Sequence, residues 1–447
     1  MRAKLSNLWE SIHTSLWFFP SIIAALGVGA AYGIIQLDRS AFLTGSRLEH
    51  WFYLGGPEGA RLVLSTIAGS TITVVGVAFS ITIAALAMAG SQFGPRLLRS
   101  FMADKGNQTV LGTFISTFIY CLIVLRTIRD DSDVVFVPDK AVTFGIILAL
   151  FSFGILIYFF HHVSSSMQAE HVVNILYREL IAEIDRTFPP MSQAEHGPVE
   201  SKALEGREGP HAIAGGLHVM VHATESGYLR ALDAQSLLSL ATERNVVIRV
   251  QYRPGDFVFE KNPITIVEGR DRLDEPAQKR IRRAFAVGEY RSLEQDVEFP
   301  IQQLVDMALR ALSPSLNDPY TAVNCIDRLG AAICHLCDRQ TPPPRWYDKD
   351  GRLRLILDVP TYEGIVDAAF NQIRQSAADN IAASIRLLEA LQAIAVVTSG
   401  PKQRKVIRRH AEMIHHACQK ALTEQKDRDD IEERFREVLQ RLGDAVS

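Results

Sequence analysis

Four apolar runs, each near the length of a membrane-crossing helix, crowd the first 163 residues of this 447-residue chain. A helix needs about 20 apolar residues to cross the hydrocarbon, because every backbone polar group there must be satisfied within the segment. The runs are Leu16 to Leu37, Ser65 to Gly90, Thr109 to Leu125 and Ala141 to Phe160. Trp17, Phe18 and Phe19 supply an aromatic anchor at one interface. The pattern predicts a four-helix transmembrane domain over residues 1–163. The first run is too long for the apolar core of a cleavable signal peptide, and three further spans follow it.

Four spans place both termini on one side. That side carries Arg2, Lys4, Arg96, Arg99, Lys105, Arg178 and Arg186, against Arg39, Arg47, Arg61, Arg126, Arg129 and Lys140 on the other. Basic residues favour the cytoplasmic side, here by a single residue. The five cysteines, Cys121, Cys325, Cys334, Cys337 and Cys418, lack the spacing of a secreted disulfide framework and read as reduced thiols. Both observations point to termini and C-terminal domain in the cytoplasm. The acidic loop holding Asp130, Asp131, Asp133 and Asp139 would then lie outside. A net charge of −3 gives no basic field to recruit nucleic acid.

The second span has an unusual face. Thr66, Gly69, Thr73, Gly76, Ser80 and Ala87 recur near a 3.5-residue period as a small, weakly polar stripe. Such residues let helices approach closely, which makes the stripe a packing seam. The other reading is a pore lining, with hydroxyls and carbonyls replacing hydration, and that requires several chains around one path. No Asp, Glu, Lys or Arg occupies the central part of a span. Coupled carriers usually place ionisable groups there, so channel, anchor and sensor are favoured over carrier. Beyond the span, Pro95 suits a helix start, and Arg96, Arg99 and Lys105 could meet anionic lipid at the headgroup interface.

A soluble α+β domain follows. Residues 164–210 read as a connecting helix, stopped by Phe188-Pro189-Pro190, and then a linker. Residues 211–275 alternate strands and turns as a β-rich subdomain, with the rhythm of a small half-open barrel. Residues 276–447 are mainly helical. Asn317 or Asp318 caps a helix with Pro319 in its first turn, Arg352 to Leu357 is strand-like, and two or three long helices fill Tyr362 to Leu442.

Chemistry is sparse in this sequence. Glu294, Asp296 and Glu298, with Asn317 and Asp318, could gather a cation or orient a basic ligand, although a solvated helix-entry loop has the same composition. Cys334 and Cys337 form a CxxC inside a helical pattern, which is half a zinc site. His161, His162 and His171 read as interface histidines rather than ligands. No phosphate-binding glycine loop with its lysine, nucleophile elbow or HExxH occurs, so no enzyme, cofactor or metal is assigned.

Several stretches resemble a bacterial family of predicted inner-membrane proteins, domain of unknown function 2254. They are Leu64-Ser-Thr-Ile-Ala-Gly-Ser70, Val75-Gly-Val-Ala-Phe-Ser-Ile81, Ser91-Gln-Phe-Gly-Pro-Arg-Leu-Leu-Arg99, Gly112-Thr-Phe114, Tyr120-Cys121 and Ile157-Tyr-Phe-Phe-His-His162. Gln295-Asp-Val-Glu-Phe299 and Leu309-Arg-Ala-Leu-Ser-Pro-Ser-Leu-Asn-Asp-Pro-Tyr-Thr-Ala322 complete the set. The resemblance implies a bacterial inner membrane and carries over no activity. Together the features predict a homo-oligomeric, channel-like membrane protein that touches lipid, passes an ion or small ligand and is regulated by its cytoplasmic domain. The alternative is a non-conducting membrane-anchored sensor or scaffold whose soluble domain binds a partner.

Overall fold

The computed structural model describes residues 17–44, 56–93, 104–131, 134–166, 168–190, 217–270 and 273–443. The chain divides into two compact units, Met1–His171 and Val172–Ser447.

The first unit holds four helices, α1 (Phe18–Thr44), α2 (Pro57–Phe93), α3 (Lys105–Thr127) and α4 (Asp139–Ser166), with a short hairpin of β1 (Arg129–Asp131) and β2 (Val134–Phe136) before α4. Each helix contains a stretch long and apolar enough to cross a membrane: Phe18–Ser40, Pro57–Met88, Lys105–Thr127 and Asp139–Val163. In its apolar stretch α3 is 61% buried, against 22%, 11% and 22% for α1, α2 and α4. It is therefore the central helix, and the other three pack around it.

Glycine makes that centre possible. A β-carbon on Gly27 of α1 would sit 2.0 Å from Ser116 Oγ of α3, and one on Gly112 would sit 3.0 Å from the Pro20 Cα. Polar contacts then fix the helices against one another. Thr117 and Ser152 hydroxyls lie 3.0 Å apart, and Tyr120 OH donates to the Ala141 carbonyl at 2.9 Å. Asp38, near the end of α1, accepts the Ala141 N–H at 2.9 Å and the Lys140 N–H at 3.3 Å. It thus caps α4 from another helix, where a carboxylate also meets the positive end of the helix dipole.

The second unit opens with α5 (Ala169–Thr187), whose Val172, Val173, Leu176, Leu180 and Ile184 form one buried face. Two sheets follow. One runs in the order β3 (Leu217–His222), β7 (Pro263–Gly269), β5 (Val247–Val250), β10 (Leu353–Ile356) and β9 (Arg345–Tyr347). The other is β6 (Phe257–Val258), β4 (Gly227–Leu232) and β8 (Phe285–Gly288). Helices α6 (Ala234–Arg244) and α7 (Glu275–Arg283) help to close a core that includes Val221, Leu229, Leu237, Ile248, Ile281 and Leu355. The rest is helical: α8 (Glu298–Ala311), α9 (Pro319–Cys337), α10 (Tyr362–Ser376), α11 (Ile381–Val397), α12 (Pro401–Ala421) and α13 (Gln425–Arg441).

Two expectations are corrected here. The strands form two open sheets, not a half-open barrel, because β10 and β9 arrive from beyond residue 340 and extend the sheet at the β5 side. Four helices, not two or three, occupy residues 362–441, since Asn380, Gly400 and Glu424 each interrupt an otherwise helical pattern with a new helix start. The linker after Pro190 lies outside the described residues.

Asp38→Ala leaves the first-turn N–H groups of α4 without their acceptor and should cost about 1–2 kcal/mol, the usual loss of a cap. Asp38→Asn keeps an acceptor oxygen and should cost less. Thermal unfolding in detergent reads both, and equal midpoints for wild type and Asp38→Ala would remove this contact from the account.

Candidate functional site

On α2, Ala60, Leu64, Ala68, Thr71 and Ala78 are the buried positions, and they face the other helices of the unit. Thr66, Gly69, Thr73, Gly76 and Ser80 are all exposed. At 3.6 residues per turn the two sets lie roughly 170° apart around the helix. Nothing approaches within 4 Å of a β-carbon built on Gly69 or Gly76, in contrast to Gly27 and Gly112. The stripe is therefore no seam within this chain; it faces outward. Its hydroxyls are satisfied locally, with Thr66 donating to the Leu62 carbonyl at 2.7 Å, Thr73 to Gly69 at 2.8 Å and Ser80 to Gly76 at 2.9 Å. The outward face of α4 differs, with Leu150 71%, Phe153 63% and Ile157 61% exposed.

The second unit carries a network of ions around the segment Gln295–Phe299. Asp296 is 3% exposed and receives two parallel N–H bonds from Arg291, both 2.8 Å, together with the Phe299 N–H at 3.1 Å. Arg291 also donates to Gln302 at 2.6 Å and lies over the Phe299 ring. Glu298 accepts from Arg253 at 2.6 Å, and the Arg253 peptide N–H binds Asp256 at 2.9 Å. Between those last two residues, Gly255 has φ +97°, and a β-carbon there would fall 2.5 Å from Asp296 Oδ2. Glycine is required at this point for both conformation and space.

Gln295 extends the network in two directions. Its side-chain oxygen accepts the Leu232 N–H of β4 at 3.0 Å, and its own peptide N–H lies close enough to the Glu183 carboxylate of α5 to favour the charged form. Glu183 is 1% exposed, accepts from Thr187 at 3.1 Å and pairs with Arg186 at 3.0 Å. Burial pushes its carboxyl above the ordinary range, and Arg186, Thr187 and the Gln295 peptide oppose that shift. Glu298 is likewise raised by burial and held down by Arg253. Chemically the arrangement is a clamp: it binds the end of β4, the turn after β5 and the start of α8 to one another, with Glu183 of α5 beside it.

The remaining candidate residues are scattered among other roles. Glu294 is exposed, whereas Asp296 and Glu298 face arginines. Asp318 caps α9, accepting the Thr321 N–H at 3.1 Å, and Asn317 precedes it in the left-handed region at φ +45°. Lys105 opens α3 and is exposed, while Arg96 and Arg99 lie outside the described residues. His162 is 2.5 Å from Asp104 and stacks on Tyr158. Burial raises the Cys334 thiol to about 11 and keeps Cys337 protonated as well, so neither is poised as a thiolate ligand or nucleophile at neutral pH. Glu183 and Arg253 were missed from sequence. Their one available signal, a charge within a helix face and a charge beside a Pro-Gly turn, occurs throughout soluble proteins.

Comparison with known proteins places these features in a family. The model of the family described as predicted membrane protein (DUF2254) matches residues 13–393. An uncharacterized protein of Mycobacterium tuberculosis (strain H37Rv), Rv1290c, is 30% identical over 453 aligned residues, which cover 99% of this chain and 84% of that protein. Uncharacterized protein Mb1321c of Mycobacterium bovis matches to the same extent. No solved structure matches.

The clamp yields two expected outcomes. Arg291→Ala strands the buried Asp296 carboxylate and should cost about 3–5 kcal/mol in denaturant unfolding of the purified protein. Glu183→Gln acts with the opposite sign. A carboxyl whose pKa is raised by folding binds its proton more tightly in the folded state, so wild type gains stability as pH falls through that raised value. The glutamine variant should be the more stable at pH 7, with its advantage vanishing as pH drops into the ordinary carboxylate range. A pH-independent difference between the two would remove Glu183 as the titrating group.

Proposed function

The chain belongs to the DUF2254 family of predicted membrane proteins, and we propose that it works in the bilayer as a homo-oligomer whose α2 helices meet along the Thr66–Ser80 stripe. In this reading the assembly is a channel-like protein of a bacterial inner membrane, with its termini and soluble unit in the cytoplasm. The observation that carries it is the outward direction of that stripe. A lipid-facing surface gains nothing from Gly, Ser and Thr, whereas a facing helix gains close backbone contact. Large exposed apolar side chains, Ile72 and Val77 beside the stripe on α2 and Leu150, Phe153 and Ile157 on α4, supply the lipid-type surface around it.

The soluble unit would then act as the regulator. Its α5 follows the last span in the chain, and Glu183 of α5 lies beside the Gln295–Phe299 clamp that joins the β-strands to α8. A partner or small ligand that reshaped those strands would pull on α5 through this clamp. No catalytic step forms part of the proposal.

The stripe hydroxyls already bond to carbonyls of their own helix. That local satisfaction favours dry helix contact, and it keeps a non-conducting anchored sensor as the second reading.

Light scattering and particle imaging of the detergent-purified protein test the assembly directly. The expected result is a closed ring with α2 nearest the axis. Gly69→Leu and Gly76→Leu insert bulk into that contact and should weaken association by roughly 1–3 kcal/mol each, about tenfold or more. Ion flux in proteoliposomes should fall with them. A monomer, or a dimer without an axial cavity, would sink the channel reading and leave the sensor.

A further inference from the structure

The soluble unit contains a sheet edge unlike its others. Strand β3, Leu-His-Val-Met-Val-His over 217–222, pairs with β7 along one side and, among the described residues, bounds the five-stranded sheet on the other. An open edge presents unpaired N–H and C=O groups, and proteins protect such edges with short strands, prolines, charges or bulges. The other edges here are protected. β9 is three residues long and follows Pro342-Pro343-Pro344, with Arg345 exposed. β6 has two residues after the Pro254-Gly255 turn. β8 ends at Gly288, against which the Arg230 side chain lies.

β3 has none of these devices except at its last residue, where the register shifts between Val221 and His222 and Arg282 of α7 donates to the His222 carbonyl at 3.3 Å. It contains no Asp, Glu, Lys, Arg or Pro and is, at six residues, the longest edge strand among the described residues. Leu217 is 50% and Met220 51% exposed, so apolar side chains stand open on both faces of the strand.

We infer that β3 is a self-pairing edge: two copies of this chain join their five-stranded sheets through antiparallel β3–β3 hydrogen bonds. The inference rests on the homo-oligomer reading and assigns it a second contact, in the soluble unit. A second copy is the fitting occupant for three reasons. It brings a strand of matching length, and no other edge among the described residues has that length. A strand without formal charges meets no like-charge repulsion when it faces itself. The four spans confine all copies to one bilayer with one orientation, which raises their mutual concentration and allows a twofold axis along the membrane normal. Antiparallel self-pairing is a twofold arrangement, and six residues would add about six backbone hydrogen bonds.

Single cysteines at each of positions 217–222 test this in the full-length protein, reconstituted in lipid. Cys334→Ser serves as the background, because the other four native thiols are buried. Mild oxidation should give a covalent dimer whose yield peaks at one of the six positions and falls on either side. Adding His218→Lys and Met220→Lys, both exposed positions, should lower that yield severalfold without changing the melting temperature. A parallel set of cysteines at 69, 73 and 76 reports on α2 independently. Cross-links on α2 but at none of the six β3 positions would overturn the self-pairing edge while the α2 reading stood. Cross-links on β3 alone would establish the edge and remove the channel. Cross-links in neither set, or a β3 yield unchanged by the lysines, would overturn the edge.

Discussion

No water reaches the middle of a bilayer, so each span satisfies its own peptide groups and side chains alone decide which helices meet. That constraint explains the first unit. Hydrophobic burial drives little association in lipid, so α3 gains its central place through close approach and a few polar contacts. Gly27 and Gly112 remove the atoms that would separate α1 from α3. Thr117, Ser152 and Tyr120 then fix α4 against the same helix. With its neighbours assembled around α3, α2 is left with one face inward and the stripe outward, and this leftover face raises the question of oligomerisation.

In the second unit the corresponding device is electrostatic. Asp296 could not remain buried and charged without the two parallel bonds from Arg291, and Arg291 could not approach it with a side chain at Gly255. Position 255 therefore controls whether the turn after β5 can lie against the start of α8. Gln295 adopts a left-handed backbone, φ +58°, that non-glycine residues take at some cost. The conformation directs its side chain to β4 and its peptide N–H to α5. Strain at one residue is offset by contacts to two elements.

Much of this was legible in the sequence where the signal is local. The four spans, the α9 cap by Asp318 with Pro319 behind it, the β-rich character of residues 211–275 and the strand β10 all follow from run length, caps and alternation. What was not legible depends on distance along the chain. β10 pairs in parallel with β5 across about a hundred intervening residues, and no local period encodes that partner. The same limit applies to the candidate site. The acidic group Glu294, Asp296 and Glu298 could be found by composition, but the arginines that claim two of its members come from positions 253 and 291. Carboxylates close in sequence are separated in function by whichever cations the fold delivers.

The stripe on α2 also limits what kind of oligomer is physically economical. Each Thr or Ser hydroxyl that donates to a carbonyl four residues back has discharged its hydrogen, and retains acceptor lone pairs alone. A wet path lined by such groups would offer partial negative charge and no donors, a surface suited to cations rather than anions. A dry contact would use the same groups differently, with glycines admitting the neighbouring backbone and the hydroxyls serving as small, already satisfied shoulders. The two uses differ in spacing. Dry contact needs helix axes close enough for Gly69 and Gly76 to touch the facing chain, while a path needs them held apart around an axis. A ring of more than about four copies would separate opposite helices sufficiently for water, and a pair would not; in such an assembly the number of copies would decide between the two uses of the stripe.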